Sequence, residues 1–101
     1  MVNQNLEVVF SKKDAMKFIS HLDLLRLFQR AIRRAGLPIA YTCGFSPRPK
    51  ISFKRALKLG VESDNEEVSF FINGWVKPED FKVKFQQQLP EGIIINTVRI
   101  I

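Results

Sequence analysis

The sequence has 101 residues, of which 46% are apolar and 26% are charged, which is the composition of one soluble globular domain and not of a disordered tail. Its formal net charge of +6 favours an anionic partner. No apolar run approaches the roughly 20 residues of a membrane span, no secretory signal is recognisable, and Cys43 is the single cysteine, so we expect a cytoplasmic protein with no membrane partner.

The first predicted elements are a strand and a helix. Branched and aromatic side chains at 5–12 predict the strand, and residues 13–18 are predicted to form a loop. Ser20 can accept a hydrogen bond from the first helical turn, and Asp23 stands three residues later, as in a capping box. We therefore expect the helix to begin after Ser20, with Asp23 as a capping residue and not as a metal ligand.

This helix is predicted to be amphipathic and to end at Ala35. Gly36 suits the left-handed position after a helix, and Pro38 cannot continue one. At 100° per residue, one side of the helix is apolar and carries Leu24, Leu25, Phe28, Ala31, Ile32 and Ala35. The opposite side is basic and carries Arg26, Arg30, Arg33 and Arg34.

The rest of the chain predicts a second set of strands around a second helix. The elements are, in chain order, a short strand at 38–42, a strand at 56–63, a hairpin turn at 63–65, a strand at 66–72, a turn at 73–74, a helix at 78–89 and a strand at 93–101. The order strand, helix, strand, strand, helix, strand predicts an α+β fold, the ferredoxin-like split βαβ sandwich, in a single domain. Residues 37–55 then form a basic, proline-containing insertion after the first helix.

Positive charge is concentrated in one part of the chain. Residues 24–61 hold nine of the 16 Lys and Arg residues and no acid, whereas the rest holds seven bases and ten acids. On the first helix, Arg26, Arg30 and Arg33 are spaced i, i+4, i+7, so their guanidinium groups line one edge and can engage successive phosphates. The alternative is a solvated helix surface, although such surfaces usually mix both signs of charge. The acids cluster separately, in a predicted solvated turn that carries Glu62, Asp64, Glu66 and Glu67.

The segment GFSPRPKISFKR, at 44–55, combines four basic side chains with two phenylalanines. Pro47 and Pro49 restrict its backbone, which reduces the entropy lost on binding. Basic groups suit phosphates and aromatic rings suit unpaired bases, so the pattern favours single-stranded RNA. Phe45 is the candidate for stacking on a base, whereas Phe53 fits better in the core. The predicted RNA-binding residues are Arg26, Arg30, Arg33, Arg34, Phe45, Arg48, Lys50, Lys54 and Arg55.

The run FISHLDLLRLFQRAIRRAGLPIAYTCGFSPRPKISF, followed by LGVES, resembles a radical-SAM-linked, uncharacterised bacterial domain family. Members of that family are fused to, or encoded beside, radical S-adenosylmethionine (radical SAM) proteins. The resemblance implies a radical SAM partner, and it implies that residues 1–101 are the N-terminal part of a longer family domain. This chain departs from the family pattern at Lys54 and Arg55, where small or apolar residues are more frequent, and at Cys43, where a polar residue is usual.

His21 is the only histidine and stands in the first helical turn, nearer the apolar side than the arginine side. It suits a buried structural role, or the role of a general base, because its ordinary pKa lies near neutrality. If the chain turns back after Gly36 and Pro38, residues 44–50 come close to the start of the helix. We therefore expect a phosphate or sulfate pocket at the helix N-terminus, built from Ser20, His21, Arg48 and Lys50.

Together these patterns predict an RNA-binding module that presents RNA to a radical SAM protein and has no cofactor or metal of its own. Because Cys43 stands alone, the iron–sulfur cluster of such a reaction would belong to the partner. Two alternatives stay open. In the first, the basic surface is a docking site for an acidic face of the radical SAM partner. In the second, the chain is a metal-independent endoribonuclease with His21 as the general base.

Overall fold

In the computed structural model, which describes residues 3–56 and 58–101, two α-helices pack on one face of a four-stranded antiparallel sheet. The elements are β1 (Asn3–Lys12), a 3-10 helix (Asp14–Phe18), α1 (His21–Arg34), β2 (Ile51–Phe53), β3 (Ser63–Asn73), α2 (Pro78–Gln86) and β4 (Ile93–Ile100). The strand order is β2-β3-β1-β4, and every neighbouring pair is antiparallel. This element order and topology confirm the predicted α+β fold of the ferredoxin-like, split βαβ type.

The first helix begins and ends where its sequence signals predict. The Asp23 N–H donates a hydrogen bond to Ser20 Oγ at 3.1 Å, which caps the N-terminus of α1. Gly36 has a φ of 68°, the left-handed conformation that glycine adopts after a helix. The helix buries Leu24, Phe28, Ala31 and Ile32. Its exposed side carries the four predicted arginines, Arg26, Arg30, Arg33 and Arg34.

The core lies between the helices and one face of the sheet. Alternate residues of the central strands point into it and are buried, namely Leu6, Val8, Phe10, Val68, Phe70 and Ile72. The Phe70 ring centroid lies 6.3 Å from that of Phe28 on α1, and 5.1 Å from those of Phe81 and Phe85 on α2. Both helices therefore lie on the same face of the sheet. The opposite face, which carries no helix in the described part of the chain, is called the open face below.

The second strand lies in a different place from the predicted one. β2 is Ile51–Phe53, inside the predicted insertion, and the described residues between β2 and β3 form no strand. The prediction of a strand at 56–63 is therefore wrong, and Leu57 of that range lies outside the described residues. Burial explains the difference. The two apolar residues of β2 pack against the core, whereas Leu59 and Val61 are 64% and 51% exposed.

The third strand begins earlier than predicted. The hairpin turn predicted at 63–65 is wrong, because these residues are the first three of β3 and Ser63 pairs with Lys12 of β1. Elsewhere the boundaries differ in smaller ways. The predicted loop at 13–18 contains the 3-10 helix, and α2 ends at Gln86 and not at residue 89.

Residues 42–48 form a loop that leaves the edge of the sheet just before β2, and it is called the edge loop below. Residues 38–42 do not form the predicted short strand. Instead, isolated β-bridges pair Ile39 with Ile72 and Tyr41 with Pro49. The Thr42 N–H donates to the Arg48 carbonyl at 2.8 Å, and this bond closes the edge loop at its base. Every residue of the edge loop is exposed.

Candidate functional site

The four exposed arginines of α1, Arg26, Arg30, Arg33 and Arg34, are called the arginine face below. Within residues 3–56 and 58–101, its one ion pair joins Arg26 Nη1 to Asp23 Oδ1 at 3.8 Å, and both side chains are more than half exposed. The other three arginines make no ion pair and no side-chain hydrogen bond in that part of the chain. Exposed pairs contribute little and are screened by salt. The charge of this face is therefore available to an external anion.

The edge loop presents an aromatic ring to solvent. Phe45 is fully exposed, and Gly44 before it has a φ of 127°, a conformation that favours glycine. The Arg48 N–H donates to Thr42 Oγ1 at 3.2 Å, which adds a second bond at the base of the loop. Phe53, by contrast, is half-buried and packs against the core. The structure thus separates the two phenylalanines of this segment into one exposed ring and one packed ring.

Two predicted RNA-binding lysines lie on the open face. Lys50 Nζ lies 4.9 Å from the ring centroid of Phe71, which points away from the core because its neighbour Phe70 points into it. Lys54 Nζ pairs with Glu67 Oε2 at 2.6 Å, and this hydrogen bond raises the pKa of the Lys54 ammonium above its ordinary value. The charge of Lys54 is therefore already balanced within the domain.

The guanidinium of Arg55 is engaged as well. Its Nε and Nη2 atoms donate to the two carboxylate oxygens of Glu66, at 3.3 and 2.9 Å. Such a two-point pair is geometrically specific and stronger than an ordinary neutral hydrogen bond. Because Glu66 is buried, Arg55 serves first as the counter-charge of that carboxylate.

The structure does not gather all of the predicted RNA-binding residues on one surface. The arginine face lies on the helix side of the domain, on the far side of α1 from the sheet. Lys50 and Lys54 lie on the open face, across the sheet from α1. The edge loop leaves the sheet next to β2, which is an edge strand. This edge borders both the helix side of the sheet and the open face. The predicted basic residues that make no ion pair in the described part of the chain are Arg30, Arg33 and Arg34 on α1, Arg48 in the edge loop and Lys50 on the open face.

The predicted anion pocket is only partly assembled. Ser20 and His21 lie together at the start of α1, where the half-buried His21 ring lies 5.0 Å, centroid to centroid, from Phe53 at the end of β2. Lys50 precedes the start of β2 and turns its ammonium to the open face, so the sheet separates it from His21. Arg48 belongs to the edge loop, where its backbone is tied to Thr42.

Sequence reasoning missed a buried charged cluster at the end of β1. Lys12 is 1% exposed and Glu66 is 4% exposed, although Glu66 was expected in a solvated turn. The missed signal is the alternation of the strands. Lys12 continues the inward series of Leu6, Val8 and Phe10, and Glu66 begins the inward series of Val68, Phe70 and Ile72.

This cluster lines a cavity of about 280 Å³ between β1, the start of β3 and the residues that precede β3. Its polar lining consists of Lys12, Arg55, Lys58, Glu62, Ser63 and Glu66. Burial alone raises the pKa of Glu66, but hydrogen bonds from Arg55 and Ser63 and the charges of Arg55 and Lys12 hold it below its ordinary value. Burial lowers the pKa of Lys12, and the charge of Glu66 opposes that shift.

Replacement of Glu66 by glutamine is expected to lower the free energy of unfolding by about 1–3 kcal/mol at pH 7, because a buried charge-assisted pair is removed. The pKa of folded Glu66 lies below its ordinary value of 4.5, so its carboxylate stabilises the fold above about pH 4.5, and this contribution disappears as the pH falls through the folded-state pKa. Urea unfolding of wild type and Glu66→Gln should show a stability gap at pH 7 that shrinks below pH 4.5. A gap of equal size at both pH values would contradict this assignment.

Other chemistry is sparse in the described part of the chain. Among residues 3–56 and 58–101, no group of three or more His, Cys, Asp or Glu side chains is arranged to hold a metal ion. Cys43 is exposed in the edge loop. No described helix is both long enough and apolar enough to cross a membrane.

Comparison with known proteins gives one family. No curated protein matches the chain. A bacterial family described as "Uncharacterized protein conserved in bacteria (DUF2344)" matches over residues 5–101, a range that includes α1, the edge loop and the Lys12–Glu66 cluster. Because the match extends over nearly the whole sequence, the chain belongs to this uncharacterised bacterial family.

Proposed function

We propose that this protein is an RNA-binding module that acts with a radical SAM protein and presents RNA to it. The observation that carries the proposal is the arginine face, in which Arg30, Arg33 and Arg34 have no acidic partner among the described residues. Guanidinium groups bind phosphate oxygens in two-point geometry, and a row of them on one helix suits a polyanion. The radical SAM partner comes from the sequence resemblance of residues 18–53 and 59–63.

In this proposal the edge loop contributes a second group of RNA-binding residues. Phe45 offers a flat apolar ring that every kind of base can stack on, and Arg48 supplies a further positive charge in the same loop. Only bases outside a duplex are accessible to such a ring, which is why single-stranded RNA is favoured. Lys54 and Arg55 have smaller roles in this proposal, because Glu67 and Glu66 already balance their charges.

Replacement of Phe45 by alanine is expected to weaken binding of single-stranded RNA by about 1–3 kcal/mol, the typical contribution of one stacked base. The slope of affinity against salt should not change, since the number of bound phosphates stays the same. Fluorescence anisotropy with a labelled RNA at several salt concentrations measures both quantities. Phe18→Ala removes another exposed phenylalanine, on the 3-10 helix, and serves as the matched control. Equal affinities for Phe45→Ala and wild type would remove the edge loop from the RNA surface.

A second candidate function is docking to a protein. Exposed apolar side chains lie close to the start of α1, where the Gly60 N–H donates to the Lys17 carbonyl at 2.6 Å and holds the two segments together. These side chains are Phe18, Leu22, Leu59 and Val61, each at least half exposed. Exposed apolar groups of this size are typical of interaction surfaces. The partner would then be the radical SAM protein itself.

Recovery of bound partners with and without nuclease distinguishes these two functions. In a pull-down with the full-length protein, RNA-dependent recovery of the radical SAM protein supports the RNA-presenting module. Recovery that survives nuclease, together with no affinity for purified single-stranded RNA, supports protein docking and excludes the first proposal.

A further inference from the structure

Lys12 is a buried ammonium group at the edge of a cavity. Its side chain is 1% exposed, and Nζ donates a hydrogen bond to the Lys58 carbonyl at 2.8 Å. An ammonium group has three donors, and it is costly to bury unless an opposite charge or several acceptors compensate it. The lowered pKa of Lys12 has the same cause, because burial disfavours the charged form.

The acids that line the same cavity are engaged with other donors. Glu66 accepts from Arg55 at 2.9 and 3.3 Å and from Ser63 Oγ at 2.6 Å. Glu62 accepts from the Asp14 N–H at 2.7 Å. In the described part of the chain, no carboxylate lies within the 4.0 Å of an ion pair from Lys12 Nζ. Lys12 therefore makes no ion pair within that part of the chain, although the charge of Glu66 acts on it from a longer distance.

The charge of the lining is positive overall. Lys12, Arg55 and Lys58 stand against Glu62 and Glu66, which leaves one net positive charge around about 280 Å³. Pockets for drug-sized ligands have volumes of about 300–1,000 Å³, so this one suits a small ligand. A lining with a net positive charge favours a small anion.

We propose that this cavity binds a small oxyanion, the carboxylate or the phosphate group of a small molecule, with Lys12 as its central charge and Lys58 and Arg55 beside it. The site lies at the end of β1 and uses neither the arginine face nor the edge loop. Arg55 is shared with the predicted RNA-binding residues, but its role in RNA binding is small because Glu66 already balances its charge. The failure of one proposal therefore leaves the other intact. The oxyanion would accept hydrogen bonds from the ammonium group of Lys12 and from the guanidinium N–H groups that Glu66 does not use.

The test is a titration of the full-length protein with acetate and, separately, with inorganic phosphate, followed by backbone amide NMR shifts at constant ionic strength. The proposal predicts saturable shifts for the amides of Lys12, Ser63 and Glu66 with at least one of the two anions, at a dissociation constant of about 1 mM or tighter. Saturation with acetate alone identifies a carboxylate ligand, and tighter binding of phosphate identifies a phosphorylated one. No saturable shift with either anion would overturn the proposal.

Variants locate the binding. Lys12→Met should weaken it by about tenfold or more, the equivalent of one charge-assisted hydrogen bond. Lys58→Met removes a charge but keeps the backbone carbonyl that Lys12 uses, so it should weaken binding several-fold even if Lys12→Met does not fold. Lys84→Met, on the exposed side of α2, is the matched control and should leave the affinity unchanged. Unaltered affinity in both cavity variants would place the anion elsewhere and reject the site.

Discussion

Reversal of charge at Arg30 and Arg33, as the double variant Arg30→Glu and Arg33→Glu, is expected to weaken binding of single-stranded RNA on the order of a hundredfold. Each arginine makes no ion pair in the described part of the chain, so each is free to contribute a charge-assisted hydrogen bond of about 1.5 kcal/mol or more to a phosphate. The salt dependence should weaken too, by about 0.7 in the logarithmic slope for each phosphate that the variant no longer binds. Gel-shift titration at several salt concentrations measures both effects.

The matched control is the double variant Lys77→Glu and Lys84→Glu, which makes the same change of net charge. Lys77 immediately precedes α2 and Lys84 lies within it. Both lysines are exposed and neither contributes to the core. The affinity for RNA should therefore fall only by the small amount that results from the lower net charge of the protein. Circular dichroism verifies that α1 survives, because a glutamate at position 33 would meet the unfavourable end of the helix dipole at a cost of about 0.3–1 kcal/mol. Equal losses of affinity in both double variants would show that net charge, and not the arginine face, holds the RNA.

Replacement of Phe28 by alanine is expected to lower the free energy of unfolding by about 3–5 kcal/mol. Phe28 is completely buried on α1, and its ring centroid lies within 5.1–6.3 Å of those of four other rings, on Phe10, Phe53, Phe70 and Phe85. The variant leaves a cavity that joins α1, α2 and the sheet, so no single neighbour can restore the packing. The free energy of unfolding of natural domains is about 5–15 kcal/mol in total, so the substitution would remove a large share of it.

Phe45→Ala is the control for this prediction, because it makes the same chemical change at a fully exposed ring. Its free energy of unfolding should stay within about 0.5 kcal/mol of wild type. Urea unfolding of the two variants, fitted with a common slope, gives the comparison. A loss below about 1 kcal/mol for Phe28→Ala would mean that Phe28 is not at the centre of the core.

The first helix could be predicted from sequence because its signals are local. Ser20 caps it, Gly36 ends it, and the spacing of Leu24, Phe28 and Ile32 defines its buried side, all within one contiguous segment. The fold class followed from the order of elements. The exposure of the arginine face followed as well, because a helix that buries one side leaves the other to solvent.

The second strand could not be predicted in the same way, because β2 has only three residues and depends on distant partners. Ile51 pairs with Phe70, and this pairing decides that Lys50 points to the open face. The segment at 56–63 contains more apolar residues, but its described residues before β3 find no strand to pair with. Strand register therefore places Lys50 and Lys54 on the opposite side of the sheet from the arginine face, and no local sequence pattern determines that register here.

The Lys12–Glu66 cluster escaped prediction for a related reason. Charged residues are rarely buried, so an acid near a loop is expected in water. The strand alternation buries Glu66, and hydrogen bonds from Arg55 and Ser63 stabilise its buried carboxylate. Neither contact is evident from spacing along the sequence. The strand alternation was visible, yet it could be interpreted only with the partner residues in place.

The most direct test of the RNA-binding proposal is an affinity titration of the full-length wild-type protein with single-stranded RNA across a range of salt concentrations. The proposal predicts saturable binding whose logarithm falls linearly with the logarithm of salt, with a slope of about 0.7 for each phosphate held by the arginine face and Arg48. Absence of binding at low salt, or an affinity that does not change with salt, would contradict it.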